Sequence, residues 1–365
     1  MAKDPHENRF ERNRKAVYAV VFSLVGLVLL GLALLAVKVV RDEVNRGYER
    51  FLIMREHRPS SDLSKAPSRD LLAVADGLED KLYRLRADEN GFIKPSAVHE
   101  KPDASVVFLG GSTTECHFMG EEERFPYLVG RQLEASLGKR INSYNGGYAG
   151  NNTLHCLLLL QGKVLPMKPR VAVLMECIND LTFLAVAGSY WSPSATRGLV
   201  QDKQYNLVKQ WIIHNLIGHK PPSAARDDEF ADKRSMAQKF EPEAITRSYR
   251  LNLEHFIFIC RQHGITPVLM TQFNRYLESP DENLLRQLKP MFDNWHITYE
   301  QYRTGYMALN DAMRDVAREQ KVQLIDLDRL VPKTKDYMYD VVHLNANGSR
   351  FVADVVSKSL EPVLR

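Results

Sequence analysis

Four short stretches carry residue types suited to acyl transfer. Ser112 lies in VVFLGGSTTE (106–115), where an apolar run stops at a glycine pair and hands over to a hydroxyl. A serine between a strand and a helix has its hydroxyl near backbone N–H groups that stabilise negative charge. The same residues also make an ordinary tight turn. Asp340 and His343 stand in DVVH. A carboxylate three residues before an imidazole accepts its Nδ1–H if the backbone turns there, which leaves Nε2 as a general base. The alternative is a salt-bridged surface histidine. NGGYAGNN (145–152) follows another apolar run. Its glycines let a backbone N–H approach an oxyanion, or simply turn the chain. ECIND (176–180) sets Asn179 at a further run's end, where its amide is an oxyanion donor or the head of an Asx turn.

Distant segments like these need a scaffold to meet. From residue 104, short apolar runs alternate with helix-like stretches. Strands are expected at Ser105–Leu109, Ile141–Asn145, Val171–Glu176, Thr266–Thr271 and Val322–Leu327. Several are continuously apolar, as strands covered on both faces are. Helices are expected near 124–137, 153–163, 247–263, 303–320 and 346–360, the last capped by Asn345. The alternation predicts a parallel sheet with helices on both faces. Sites in such sheets lie at the carboxyl ends of strands, and all four stretches fall there.

In the order Ser, Gly, Asn, Asp…His, these blocks resemble those of the SGNH (GDSL-type) hydrolase family, over roughly 104–362. The resemblance implies an α/β fold, a flavodoxin-like three-layer sandwich with a central parallel sheet of about five strands. It implies Ser112 as nucleophile, His343 as general base and then acid, and Asp340 as the group orienting His343. The implied oxyanion hole is the Ser112 N–H, the Gly150 N–H and the Asn179 side chain. Gly150, rather than its neighbour Gly147, fits the family's N-x-G-x-x-G pattern. The implied chemistry is acyl transfer through an acyl-enzyme, without metal or organic cofactor. Two positions depart from the family. Gly111 stands where many members have Asp. Cys177 stands where the G-x-N-D block has Gly, and its side chain is expected to narrow the pocket or shift Asn179.

The chain has 365 residues, 44% hydrophobic and 26% charged, enough for one large domain or two ordinary ones. A net charge of +4, with no basic stripe interleaved with aromatics, argues against nucleic acid as a partner. Cys116, Cys156, Cys177 and Cys260 form no C-x-x-C pair, which disfavours a zinc knuckle. Buried free thiols are expected, with disulfides left open. His117, His155 and His296 have no compact metal-site spacing.

Residues 16–37 are strongly apolar and carry no charge, about 33 Å of helix at 1.5 Å per residue. The run exceeds a signal-peptide core and ends in no A-x-A site. A transmembrane signal anchor is therefore expected at 16–40, after a short cytoplasmic tail at 1–15. Arg12, Arg14 and Lys15 on one side and Lys38 and Arg41 on the other nearly balance the positive-inside count. The short tail favours a large domain outside the cytoplasm, on the periplasmic or extracellular side. Residues 41–103 read as a stalk and lead-in, mostly helix-like, with a loop at 58–68, a helix at 70–86 and a turn at 87–96. The catalytic domain is expected at 104–365, with an insertion at about 181–245 that is a cap over the site, a partner surface or a partly disordered stretch. Tyr190, Trp191 and Trp211 there are expected to be buried rather than a sugar-stacking platform.

Three functions fit. The first is a membrane-anchored serine esterase removing O-acyl groups, O-acetyl foremost, from an envelope or secreted glycan or lipid. The anchor resembles that of family members working on O-acyl groups of such polysaccharides. The second is an O-acyltransferase for a cell-surface polysaccharide, using the same residues beside a multi-span membrane acyltransferase. The third is a non-catalytic scaffold, suggested by Cys177 and opposed by the intact set of site residues.

Overall fold

A computed structural model of the protein describes residues 13–46, 48–192, 197–204 and 240–365. Residues 1–12 of the expected tail, and most of the expected insertion including Trp211, lie outside the described residues.

The apolar run forms part of one helix, Arg14–Arg46. Within it, Arg14–Asp42 is long and apolar enough to cross a membrane, with a mean hydropathy of 2.9 and no burial. An anchor and a signal sequence both have these properties. This helix falls in one compact unit with a two-stranded sheet built from Tyr48–Leu52 and Val200–Gln204.

The second unit spans Leu52–Leu199 and resumes in the described residues at 240–365. Its centre is a sheet of β1 (Ala104–Gly110), β2 (Ile141–Gly147), β3 (Val171–Met175), β4 (Thr266–Met270) and β5 (Gln323–Ile325). The order is β2-β1-β3-β4-β5 and every pair is parallel. This is the flavodoxin-like order, whose switch point lies between β1 and β3. Gly110 at the end of β1 pairs with Gly147 on one side and Met175 on the other. Three strand ends thus reach the same level.

Alternate residues of β1 serve opposite cores, as a pleated strand dictates. Val106 and Phe108 pack with Val129 and Leu133 of α1 (Phe125–Leu137). The longer C-terminal helix, Ala346–Leu364, adds Val352 and Val356 to that core. Val107 and Leu109 face the other core, with Leu157 of α2 (Thr153–Leu159), Leu181 of α3 (Ile178–Ala187) and Phe256 of α4 (Pro242–Gln262). Met313 of α5 (Tyr299–Gln320) completes it. A helix at Glu282–Trp295, capped by Asp281, has no counterpart among the sequence expectations.

The lead-in differs from its expectation. Helix forms only at Arg69–Val74, where the Ser68 side chain accepts the Leu71 N–H. Beyond it the chain is extended, with bridges Lys65↔Tyr83 and Asp62↔Arg86. The helix stops because tertiary bonds outweigh a weak local propensity. The Asp76 N–H donates to the Tyr339 carbonyl at 2.6 Å, and Arg275 Nη1 holds the Asp76 carboxylate at 2.6 Å. The turn expected at 87–96 is present: Ala87 bridges Ile93, and Asp88 Oδ1 accepts the N–H groups of Asn90 and Phe92.

Candidate active site

Ser112 opens a single helical turn, Ser112–Glu115, directly after β1. Side chains from the ends of β2 and β4, on either side of it, hold that turn. Asn145 Nδ2 donates to the Thr114 carbonyl at 2.9 Å. From the other side Gln272, fully buried, donates to Thr113 Oγ1 at 2.7 Å. Its Oε1 accepts the Ile178 N–H and the Tyr306 hydroxyl, each at 2.8 Å. One amide thus ties the serine turn to the start of α3 and to α5.

The DVVH segment turns as its spacing required. Asp340 Oδ1 accepts the N–H groups of Val342 and His343 at 2.9 and 2.7 Å. Its Oδ2 stands 2.7 Å from His343 Nδ1, and His343 Nε2 stands 2.8 Å from Ser112 Oγ. A carboxylate only accepts, so Nδ1 carries the proton and Nε2 accepts the serine O–H. The Tyr339 ring stacks on His343 at 5.5 Å between centroids. Asn345 caps the helix that follows, its Oδ1 accepting the Gly348 N–H at 3.0 Å.

Electrostatics match this arrangement. Burial pulls the His343 pKa down, but the charge and hydrogen bond of Asp340, with the charge of Glu115, leave it above the ordinary histidine value. Burial works the other way on Asp340, where the His343 partnership and the two backbone N–H groups hold the carboxyl below its usual range.

Two amide donors are left unspent. Asn179 Nδ2 is buried and has no hydrogen-bond partner among the described residues. It lies against Gly111, the residue before the serine: a Cβ added to Gly111 would overlap it. The Gly150 N–H likewise has no acceptor among the described residues. Gly150 sits at φ +80°, a left-handed conformation that favours glycine. The neighbouring candidate Gly147 differs, because its N–H is already given to Asn145 Oδ1 at 2.9 Å.

Cys177 behaves otherwise than its sequence position suggested. Its side chain neither narrows the pocket nor displaces Asn179. It points into the core, where the thiol donates to the Tyr306 carbonyl at 3.5 Å. Its φ of −163° lies outside the left-handed region that favours glycine. All four cysteines are free and buried.

Several neighbours were not singled out from the sequence. Glu115, buried at the end of the serine turn, stands 3.0 Å from His57 Nε2. Burial raises its pKa, and His57, helped by His117 and the Ala149 N–H, more than reverses that. Glu176 is a buried carboxyl whose oxygens have no hydrogen-bond partner among the described residues. Burial and the nearby Asp180 charge push its pKa well up. Arg55 and Arg197 flank Gly150. No sequence periodicity marks any of these.

Among the described residues no three potential metal ligands cluster. Burial lowers the pKa of His155 to about 3, and its ring joins Asn152 in capping α2. Tyr190 is buried, as expected, while Trp191 is 67% exposed, contrary to expectation.

A narrow notch of about 10 Å³ opens between Ser112, His343, Phe118 and Leu344. Phe118, Met119 and Tyr339 also line a polar trough of about 290 Å³, with Glu79, Lys81 and Tyr83 of the lead-in on its wall. Notch and trough share these three residues in their walls.

Residues 108–351 match a family model described as the GDSL-like lipase/acylhydrolase family. No curated protein matches the chain. Among solved structures, the chain is similar to Axe2, an acetylxylan esterase from Geobacillus stearothermophilus, at 15% identity and a TM-score of 0.41, over 71% of this chain and 94% of that one. It is also similar to a lipase/acylhydrolase from Enterococcus faecalis, at 17% identity and a TM-score of 0.43, over 71% and 96% of the two chains.

Proposed function

The chain belongs to the GDSL-like lipase/acylhydrolase family and is a serine ester hydrolase, and we propose that it removes acetyl esters from a glycan through an acyl-enzyme on Ser112. The observation that carries this reading is the relay from Asp340 through His343 to Ser112 Oγ, opening on a narrow notch beside a polar trough.

Ser112 Oγ attacks the ester carbonyl while His343 Nε2 takes its proton, and Asp340 steadies the imidazolium. The oxyanion is met by the Ser112 and Gly150 N–H groups and by Asn179 Nδ2. His343 then protonates the leaving alcohol. Water, deprotonated by His343, releases the acyl group in a second round.

The size of each space supports the substrate class. A volume of about 10 Å³ is near the least that holds one water. An acetyl methyl suits it, whereas a longer chain must displace Phe118 or Leu344. The alcohol part of the ester then lies in the trough, which is close to small-ligand size. Its ionic and aromatic lining suits a sugar better than a lipid. The helix Arg14–Arg46 would tether this activity to a membrane, with the catalytic unit on the periplasmic or extracellular side. Transfer to a second sugar hydroxyl, alone or beside a membrane acyltransferase, needs the same residues and is an outcome of the test.

The test uses the full chain in detergent with 4-nitrophenyl acetate, butyrate and octanoate, and with an acetylated oligosaccharide. Expected are turnover of acetate well above octanoate, deacetylation of the oligosaccharide, and loss of both in Ser112→Ala. Full activity in Ser112→Ala would overturn the site. Preference for octanoate would overturn the substrate class. Acetate appearing on an added sugar acceptor rather than in water would assign the transferase.

A further inference from the structure

We propose that Arg55 and Arg197 are positioning residues that set the oxyanion hole, Arg55 by fixing the Gly150 loop and Arg197 by fixing which way the Asn179 amide faces. The inference rests on reading Gly150 and Asn179 as oxyanion donors.

Arg55 is joined to the whole loop. Its Nη2 donates to the Ala149 carbonyl at 2.9 Å, and its Nε to Asn151 Oδ1 at 3.2 Å. Asn151 Nδ2 donates back to the Arg55 carbonyl at 3.0 Å. The guanidinium lies over the Tyr148 ring, 5.2 Å from its centroid. At Gly150 itself, a Cβ would meet Arg55 Nη2 at 3.0 Å and Arg197 Nε at 3.1 Å. A loop bound at residues on either side of Gly150 cannot turn its N–H away without breaking these bonds. Arg55 lies outside the stretch matched by the family model, so this chain supplies the fixture from its own lead-in.

Arg197 acts on the other donor. It is 9% exposed, and its Nη1 donates to Asn179 Oδ1 at 3.4 Å. Guanidinium has donors only, so the amide must turn its oxygen towards Arg197. Nδ2 is then forced to the opposite side, against Gly111 and the serine turn. A flipped amide would offer a carbonyl oxygen to the oxyanion and repel it. The Arg197 backbone is fixed in turn. Its carbonyl accepts from His155 Nε2 at 3.0 Å, while His155 Nδ1 accepts the Asn152 N–H at 3.1 Å. That pairing defines the neutral tautomer of His155.

The test compares Arg197→Lys with Arg197→Gln, and Arg55→Ala with wild type, in the full chain on 4-nitrophenyl acetate. Lysine only donates and keeps the amide orientation. Glutamine donates and accepts, so it tolerates the flipped amide. Arg197→Gln is expected to lose up to about 100-fold in kcat with KM little changed, and Arg197→Lys to recover most of it. Affinity for a boronic acid that mimics the tetrahedral adduct should fall in step with kcat. Arg55→Ala should show the same split. Asn179→Ala/Arg197→Gln should be no slower than Asn179→Ala alone. Equal kcat for glutamine and lysine at 197, or additive losses in the double variant, would overturn the role of Arg197. An unchanged kcat in Arg55→Ala would overturn that of Arg55. If Asn179→Ala itself keeps the wild-type kcat, the oxyanion reading fails and the inference falls with it. A large loss in Asn179→Ala with intact arginine variants sinks only the inference. Should Arg197→Gln not fold, Arg197→Met gives the same comparison with lysine.

Discussion

Gly111 and Asn179 close on each other from the ends of two neighbouring strands, with Asn179 Nδ2 filling the space a Cβ at 111 would need and Glu176 Oε1 only 3.0 Å from it. The aspartate common in the family at this position has no room here, because the Asn179 amide and the Glu176 carboxyl already occupy its place. Gly111→Ala should therefore displace Asn179 and cost about 100–1,000-fold in kcat, the usual loss for one oxyanion donor. Measured turnover within a few-fold of wild type would show that Asn179 is not needed where it stands.

The raised His343 pKa sets the acid limb of the pH profile. Catalysis needs neutral His343, so kcat/KM should rise with pH through a midpoint above about 6.5, the free histidine value. Asp340→Asn removes the charge that raises it. The limb should then move to lower pH while the maximum rate falls about 10⁴-fold. A limb that stayed in place would mean that another group controls the titration.

Cys177 contacts the core and not the notch. Cys177→Ala should leave kcat unchanged and lower stability by about 1 kcal/mol, read from urea unfolding. Burial pushes the thiols of Cys116 and Cys260 up to about 12 and those of Cys156 and Cys177 well up. At pH 8 none of the four should react with iodoacetamide until the protein unfolds. A kcat that changed severalfold in Cys177→Ala would place the thiol's influence in the site after all.

Arg124 is 1% exposed and binds the lead-in to the serine turn. Its Nε donates to the Cys116 carbonyl and its Nη1 to that of Lys94, both at 3.1 Å, while Nη2 donates to that of Arg84. Arg124→Met strands these carbonyls and should cost about 3 kcal/mol or more. Lysine cannot reproduce the planar fork, so Arg124→Lys should rescue little. The denaturation midpoint checks both, with proteolysis between residues 80 and 95 as a local readout.

The sheet and the four site blocks were legible because buried parallel strands write continuous apolar runs, and functional turns follow them directly. Ser105–Leu109 lies within β1, and Asp340 and His343 needed only a local turn. The lead-in was misread because leucine spacing reports apolar contact without saying which element makes it. Leu85 is fully buried while Leu82 is 65% exposed, and neither is helical. Cys177 was misread because side-chain direction follows from a backbone angle that the sequence does not display. Arg55 was invisible for a different reason. Its partner Asn151 is 96 residues away, and a single arginine meeting one loop leaves no repeating pattern.

The relay joins residues 231 positions apart. At about 5–20 residues per second of synthesis, roughly 10–50 s separate the making of the serine from the making of its base. Throughout that interval the nascent chain holds a serine without the imidazole that activates it. Activity therefore arrives with a late folding event, the docking of the DVVH turn onto the carboxyl end of a sheet already built. A chain whose synthesis stalls before that turn is a silent fragment rather than a stray esterase.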